Sequence, residues 1–278
     1  MSRHFGLAAA TLLSLADTGG ALAADFTVKA PAARPAPACA WCGFYAGGNV
    51  GYAWGRNAED AAWSAPTPPF IAVDSAAISA AGSPRLTADG VTGGAQAGYN
   101  WRSGATLFGA EADFNGFALR GTTRGTFPFP STLPGGVIGP PTSTFTASTN
   151  VSSDWLFTAR GRLGWTNDNL LVYGTGGLAV ANVKVNQIFG LLGGFTETAT
   201  ISSTQVGWTA GAGVEIMVSK NWSVKGEYLY VDLGKASATG VLTPTLAGIT
   251  YTTTAHVTAN IARIGANYHF GGPVIAKY

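Results

Sequence analysis

A period-two alternation of side-chain character recurs in eight segments of the chain, and it restricts the fold more than any other feature. This period is typical of β-strands, because successive side chains point to opposite faces of a sheet. Each segment is about ten residues long, the length that a tilted strand needs to cross a bilayer. The segments are Phe44–Gly55, Val91–Trp101, Leu107–Asn115, Trp155–Trp165, Leu170–Val183, Gln205–Val218, Trp222–Gly234 and Val257–Phe270.

The two faces of these segments favour a membrane barrel over a soluble sandwich. One face is apolar and carries aromatic residues near both ends, as Trp155 and Trp165 do in the fourth segment. The other face carries mostly Gly, Thr and Asn, and only 11% of all residues are charged. A sandwich would bury its bulky side chains, whereas aromatic girdles border the lipid-facing band of a barrel. Leu170–Val183 is apolar on both faces, so its orientation stays open.

The connections between the segments alternate strictly between short and long. This alternation is typical of outer-membrane barrels, which have short periplasmic turns and long extracellular loops. We therefore predict an all-β fold, an eight-stranded antiparallel up-and-down transmembrane β-barrel. The short turns are Arg102–Gly104, Thr166–Asn169 and Ser219–Asn221, and the long loops are Arg56–Gly90, Gly116–Asp154, Lys184–Thr204 and Lys235–His256.

The two longest loops are rich in Pro, Gly, Ser, Thr and Ala and poor in charge. Their segments Phe127–Pro130 and Pro140–Pro141 predict exposed, irregular structure. Loops on a rigid scaffold often carry function, so adhesion or ligand binding through them is one functional hypothesis.

The N-terminal segment predicts export. Arg3 and His4 precede a short apolar run that ends in Ala21-Leu22-Ala23, which is typical of a cleaved secretory signal peptide. The predicted organisation is a signal peptide at 1–23, an Ala/Pro-rich periplasmic tether at 24–42 and an outer-membrane barrel domain at 43–278. No apolar run is long enough for a transmembrane helix.

Composition argues against several classes of function. A net charge of +2 gives no reason to expect a nucleic-acid partner. Three His and two Cys are too few for a multi-site metalloprotein, and we expect no cofactor and no metal. Cys39 and Cys42 form a C-x-x-C pair outside any βαβ context, so we interpret them as a disulfide rather than a redox centre. His256 lies near several hydroxyls, but hydroxyls are abundant, and we predict no enzyme activity.

Four acidic and four basic residues fall on the inward face of the predicted strands. Eight strands leave an interior just wide enough for side chains to fill, and charges buried there must be paired. We favour a neutralised network that closes the barrel, and the alternative is a charged constriction that selects solutes. The eight residues are Glu111, Asp113, Arg160, Arg162, Glu215, Lys225, Glu227 and Arg263.

The last strand carries a pattern that resembles the signal read by the barrel-assembly machinery. A polar residue, a glycine, an aromatic residue and a terminal aromatic residue stand at Arg263, Gly265, Tyr268 and Phe270. The machinery is therefore an expected partner, although Gly271–Tyr278 continue beyond the terminal aromatic residue.

Several motifs together resemble one known family, the small OmpA-like outer-membrane surface-antigen barrels of alphaproteobacteria. These outer-membrane immunogenic proteins are described as porin-like. The resemblance implies an outer-membrane location, contact with membrane lipid and lipopolysaccharide, a structural role in envelope integrity and no catalytic residues. A narrow channel for small solutes is the alternative. The motifs are Trp41–Gly51, Gln96–Trp101, Arg160–Gly164, Glu227–Gly234 and Asn267–Phe270.

The predicted mature N-terminus adds a hypothesis about the cell wall. Cleavage after Ala23 leaves Ala24 followed by Asp25. Some barrels of the family that the chain resembles are covalently joined to peptidoglycan through such an alanine followed by an acidic residue. Peptidoglycan attachment through Ala24 and Asp25 is therefore expected, with ordinary signal-peptidase cleavage as the alternative reading.

Overall fold

The computed structural model describes residues 39–64, 72–129, 144–190, 196–243 and 250–270. The predicted signal peptide and the tether up to residue 38 lie outside this range. The described part contains one helix and eight strands: β1 (Gly43–Ser64), α1 (Ala72–Ala81), β2 (Arg85–Ser103), β3 (Thr106–Pro128), β4 (Thr144–Thr166), β5 (Leu170–Gly190), β6 (Thr196–Met217), β7 (Trp222–Thr243) and β8 (Thr250–His269).

The eight strands form a closed antiparallel barrel in which each strand pairs with its neighbours in sequence. The first and last strands complete the ring, with Tyr45 opposite His269 and Gly51 opposite Arg263. The predicted fold class is confirmed, and each predicted segment coincides with one strand. Within the described residues, no helix is long and apolar enough to cross a membrane.

The strands extend well beyond the predicted segments on the side opposite the short turns. The prediction of long loops is therefore wrong for much of 116–154, 184–204 and 235–256 and for both ends of 56–90, because these residues continue the adjoining strands. The irregular structure predicted for Phe127–Pro130 is also wrong in part, because Phe127 and Pro128 belong to β3 and Phe129 is buried. Pro140 and Pro141 lie outside the described residues.

The reason for this difference is that the polarity of the two faces reverses along each strand. Between the aromatic girdles, apolar side chains point outward and polar ones inward, as in a membrane barrel. Beyond the outer girdle, β5 points Val185 and Phe189 inward and Lys184 and Asn186 outward. The upper parts of the strands, beyond the girdle farther from the short turns, thus form a head with an apolar interior, like a soluble barrel.

Helix α1 packs against the head and replaces missing strand pairing. The upper end of β1 extends past the last pair with β2, which joins Ala58 and Arg85. The Ser83 Oγ accepts a hydrogen bond from the Ala61 N–H at 2.9 Å, and the Ser79 Oγ accepts one from the Trp63 N–H at 2.9 Å. The side chain of Ile78 is fully buried in the aromatic cluster of the head. Sequence patterning missed this helix because its segment reads as a small-residue loop.

Pairing in the wall is irregular between β6 and β7. Among the described pairs, Thr198–Val241 and Trp208–Asp232 bracket a stretch in which no backbone pairing joins the two strands. The same part of β6 is paired along its whole length with β5. The irregularity lies above Trp208, in the head rather than in the membrane belt.

Candidate functional site: a charge network inside the barrel

All eight charged residues that the sequence placed on the inward face lie inside the barrel and are buried. The alternation of each strand positions them, because every second residue of a barrel strand points into the lumen. They occupy the half of the interior nearer the short turns, beneath the apolar core of the outer half. Their exposed fractions range from 0% to 5%: Glu111 2%, Asp113 2%, Arg160 3%, Arg162 3%, Glu215 0%, Lys225 1%, Glu227 5% and Arg263 5%.

Glu111 on β3 is the hub of the network. Its carboxylate accepts a hydrogen bond from Arg160 at 2.5 Å and one from Arg162 at 3.3 Å. The ammonium group of Lys225 lies 2.9 Å from both carboxylate oxygens. The Tyr45 hydroxyl donates a further bond of 2.8 Å. One acid therefore joins cations from β4 and β7, on different sides of the lumen.

A second set of contacts links Asp113 and Glu227 through two arginines. Arg160 lies 2.8 Å from Asp113 and 3.1 Å from Glu227. Arg263 on β8 lies 3.2 Å from Asp113 and 2.5 Å from Glu227. The Thr158 hydroxyl also donates to Asp113 at 2.7 Å. These bonds close a ring of alternating charges across the barrel.

Glu215 takes a different partner from the one that strand neighbourhood suggests. It stands directly opposite Lys225 in the pairing of β6 and β7. Its ion pair is nevertheless with Arg162, at 2.7 Å, while Lys225 reaches across the lumen to Glu111. Between β3 and β4, by contrast, the ion pairs join neighbouring strands: Glu111 contacts Arg160 and Arg162, and Asp113 contacts Arg160.

Uncharged side chains complete the network, and sequence patterning did not assign them to it. The Tyr173 ring lies under the Arg162 guanidinium, 4.1 Å from the ring centroid, and its hydroxyl donates to Glu227 at 2.9 Å. Ser223 and Asn267 both donate to Glu215. Sequence patterning missed Tyr173 because β5 is apolar on both faces, so its inward-facing residues could not be identified. In β8, the alternation places Asn267 on the same inward face as Arg263.

The network as a whole is electrically balanced and buried. Four carboxylates face four cations, and every one of the eight takes part in at least one ion pair. A buried ion needs such compensation, since an uncompensated one costs several kcal/mol, on the order of 3–5 when a partner is removed. The arrangement can hold the strands together and occupy the lumen. Among the described residues, no group of His, Cys, Asp or Glu is arranged to hold a metal ion.

The periplasmic end of the barrel is covered by the segment that precedes β1. Cys39 and Cys42 are joined by a disulfide, with 5.3 Å between their Cα atoms. The loop between them carries Trp41, which is fully buried and donates a hydrogen bond of 3.1 Å to the Asn167 carbonyl oxygen. Its ring packs edge-on against His269, with 5.7 Å between centroids. The C-x-x-C pair thus has a structural setting at the barrel mouth.

The residues of the predicted assembly pattern divide between the two faces of β8. Arg263 and Gly265 point into the lumen, and Tyr268 points toward lipid at the periplasmic girdle. Tyr268 contacts Trp222 and Phe270, with centroid distances of 5.4 and 5.1 Å. Phe270 follows the last strand residue and donates its N–H to the Phe44 carbonyl oxygen at 2.9 Å.

The remaining candidate residues do not join the network. His256 lies outside the barrel wall, where its Nε2 is 3.1 Å from an Asp232 carboxylate oxygen. Ala24 and Asp25, the predicted site of peptidoglycan attachment, lie outside the described residues.

Comparison with known proteins identifies the family. The model of the outer membrane protein beta-barrel domain matches residues 20–270. The chain belongs to this family. It is 36% identical over 256 residues to the 31 kDa outer-membrane immunogenic protein of Brucella melitensis, covering 90% of this chain and 93% of that protein.

One further curated relative and one solved structure are also similar to this chain. The 22 kDa outer membrane protein of Rhizobium leguminosarum bv. viciae is 29% identical over 196 residues, which cover 70% of this chain and 66% of that protein. Among solved structures, outer membrane protein OprG of Pseudomonas aeruginosa covers 82% of this chain and 97% of its own, with 11% identity and a TM-score of 0.44. This barrel is an outer-membrane protein related to the outer-membrane immunogenic proteins of alphaproteobacteria.

Proposed function

We propose that this protein is a closed structural barrel that supports the integrity of the outer membrane and presents its head at the cell surface. The observation that carries the proposal is the balanced network of eight buried charges that fills the lumen. Two further features support closure: apolar side chains occupy the interior of the head above the network, and Trp41 is buried at the periplasmic mouth. In this role the protein acts on no substrate, and outer-membrane lipid is its surrounding partner.

Conductance separates this proposal from its main alternative, a narrow channel for small solutes. The refolded mature protein would be inserted into planar bilayers beside Arg160→Ala and Glu111→Ala. The shift in gel mobility on heating first verifies that the protein is folded. We then expect the wild-type protein to show no channel events. Steady channel events whose size or ion selectivity changes in the variants would instead establish a pore with a charged constriction.

A loss-of-function experiment tests the structural role directly. A strain lacking the protein is expected to leak periplasmic proteins and to become sensitive to deoxycholate, and the wild-type chain should restore both properties. A strain that grows and retains its periplasmic proteins normally under detergent stress would contradict the role. Adhesion through the loops would be recognised by loss of host-cell binding in a strain whose envelope is intact.

Covalent attachment to peptidoglycan through Ala24 is a separate part of the proposal. It is supported by the small residue and the following acid at the predicted mature N-terminus. Sacculi boiled in sodium dodecyl sulfate should retain the wild-type protein and should retain less of an Asp25→Ala variant. Sacculi free of the wild-type protein after this treatment would exclude the attachment and leave the closed-barrel proposal intact.

A further inference from the structure

A groove of about 430 Å³ runs along the lipid-facing wall where β1, β2 and β3 meet. Its floor is made by Gly93 and Gly116, which stand opposite each other in the pairing of β2 and β3. Val50 and Val91 line one side, with 57% and 63% of their surfaces exposed. On the other side, Trp155 is the register partner of Gly116 on β4. Two adjacent glycines between bulky neighbours leave this groove open on the outer face of the wall.

The outer end of this groove opens on a cluster of charged side chains. Arg120 and Asp154 line the groove there. The Asp154 carboxylate lies 3.2 Å from Arg120 and 2.7 Å from the ammonium group of Lys184. Asn182 holds Asp154 in place by donating to its carboxylate at 3.1 Å and accepting its backbone N–H at 2.8 Å. Two cations from β3 and β5 are thus fixed on either side of one acid.

Arg120 and Lys184 are both exposed, and their ion pairs with Asp154 are expected to contribute little to protein stability. The side chains of Arg120 and Lys184 are 65% and 53% exposed. Exposed ion pairs typically contribute only about 0–1 kcal/mol to stability. Both side chains therefore keep donors available to a ligand at the level of the outer girdle.

The wall around the groove is more basic than the outer face of β6, across the barrel. Above the outer girdle, the described outward-facing side chains of β2–β5 include four bases and two acids. The corresponding outward residues of β6 carry hydroxyl groups alone. The residues of the basic wall are Arg85, Arg120, Arg124 and Lys184 with Asp89 and Asp154, and those of β6 are Thr198, Thr200, Ser202 and Thr204.

We propose that this surface is a binding site for the phosphorylated lipid A part of lipopolysaccharide. One acyl chain lies on Gly93 and Gly116, and a phosphate group is bound by Arg120 and Lys184. A guanidinium group suits phosphate because its planar N–H donors can form paired, charge-assisted hydrogen bonds. The ligand must carry both a hydrocarbon chain and an anion at the outer surface of the membrane, and lipid A combines the two.

Native mass spectrometry of the folded mature protein in mild detergent tests the site. The probe is bis-phosphorylated lipid A, compared with dephosphorylated lipid A and with phosphatidylglycerol. We expect one tightly bound lipid A molecule, and the Arg120→Gln/Lys184→Gln double variant should weaken its binding at least about tenfold, the effect of losing one charge-assisted contact. The matched control Arg102→Gln/Lys220→Gln removes two cations near the periplasmic turns and should bind as the wild type does.

A second variant tests the groove without changing charge. Gly116→Leu should fill the floor and weaken binding by a similar factor, since a Cβ there meets only the Gly93 carbonyl oxygen, at 3.6 Å. Gly174→Leu on β5 is the control, because its Cβ has comparable space, 3.9 Å from the Gly211 carbonyl oxygen. Heat-modifiable gel mobility verifies that each variant is folded.

Three results would overturn the proposal. Unchanged affinity in the double variant would exclude the headgroup site, and unchanged affinity in Gly116→Leu would exclude the acyl groove. Equal binding of phosphatidylglycerol would show a general anionic-lipid surface rather than a lipid A site. None of these results depends on conductance, so the closed-barrel proposal stands or falls separately.

Discussion

Glu111 lies at the point where the network is most vulnerable to a single substitution. Its carboxylate forms ion pairs with four cations, and only 2% of the residue's surface is exposed. Replacing an acid of this kind leaves uncompensated buried charge, which is more harmful than the loss of the bonds themselves. A substitution of Glu111 therefore leaves cations from several strands of the barrel without a counter-ion they share.

The variant Glu111→Gln should lower the free energy of unfolding by about 3–5 kcal/mol, because Arg160 and Lys225 lose their shared counter-ion. Urea unfolding in phospholipid vesicles, followed by tryptophan fluorescence, measures the change. Asp154→Asn is the control, since this exposed ion pair should contribute less than about 1 kcal/mol. Equal effects of the two substitutions would mean that the network does not stabilise the barrel.

Glu197 is a buried acid outside the charge network, and it lies in the head rather than in the membrane belt. The belt portion of β6 begins near Val206 and Trp208, nine or more positions further along the strand. The Glu197 carboxylate accepts a hydrogen bond of 2.7 Å from the Trp63 indole N–H, and the Glu197 side chain is fully buried. No ion pair in the described part of the chain includes it. Burial therefore raises the pKa of Glu197 above its ordinary value of 4.5.

This raised pKa predicts a stability that decreases as pH rises. A group whose pKa is higher in the folded state binds its proton more tightly there, so folding is favoured at low pH and the advantage is lost above the folded pKa. Glu197→Gln should match the wild type at pH 4 and be more stable at pH 8. Thermal unfolding across this range measures the difference, with the exposed Asp60→Asn as control. A constant difference at all pH values would contradict the assignment.

At the scale of the strands, sequence alternation predicted the membrane-spanning parts but not the parts that continue above the outer girdle. The alternation of apolar and polar residues located all eight strands, because lipid and lumen impose opposite demands on successive side chains. Above the girdle, β5 continues as Val185, Asn186 and Gln187 with its apolar residue now facing inward. Because the prediction required apolar residues on the lipid-facing side, each predicted strand ends near the outer girdle, earlier than the observed strand.

The site shows the same limit of sequence reasoning. Alternation placed Glu111, Arg162 and Lys225 on the inward face correctly. It could not determine that Lys225 bonds Glu111 rather than its neighbour Glu215, because contacts across the lumen depend on the stagger of the closed barrel. Pairing along hairpins is visible in a sequence, whereas pairing across a barrel is not.

Closure of the ring depends on the close approach of β1 and β8. Gly47 points inward at this seam, and a Cβ there would overlap the carbonyl oxygen of Ala266. Gly47→Ala should therefore displace β8 and lower stability by about 1–3 kcal/mol, the usual effect of overpacking. The next residue is a matched control, since a Cβ on Gly48 points outward and meets only the Gly94 carbonyl oxygen, at 3.5 Å.

The measurement for this pair is the fraction of refolded protein that migrates as the folded form in an unheated gel. Gly47→Ala should reduce this fraction, and Gly48→Ala should match the wild type. If the two variants behave alike, space at the seam does not limit closure.

At the scale of the whole molecule, three layers of different chemistry occupy the barrel interior from the periplasmic mouth to the head. Trp41 covers the periplasmic mouth, the charge network fills the lower lumen, and an apolar core that includes Val183 and Leu229 fills the outer half. The two faces are complementary in each layer: the charges inside the belt are surrounded by an apolar outer wall, whereas the apolar interior of the head is surrounded by hydroxyl and charged groups on the outside. The reversal fixes how far the protein projects from the membrane.

Three cysteine substitutions, two on β6 and one in the turn that follows it, test this projection. Both native cysteines are engaged in the Cys39–Cys42 disulfide, so an added thiol is the one available to react. On intact cells, a membrane-impermeant maleimide should label Thr200→Cys in the head. It should leave Ala210→Cys unlabelled, because that outward position faces hydrocarbon between the girdles. Ser219→Cys, in a periplasmic turn, should react only after the outer membrane is permeabilised. Labelling of Ala210→Cys, or of Ser219→Cys on intact cells, would place the membrane at a different height or reverse the orientation, and surface presentation of the head would then fail.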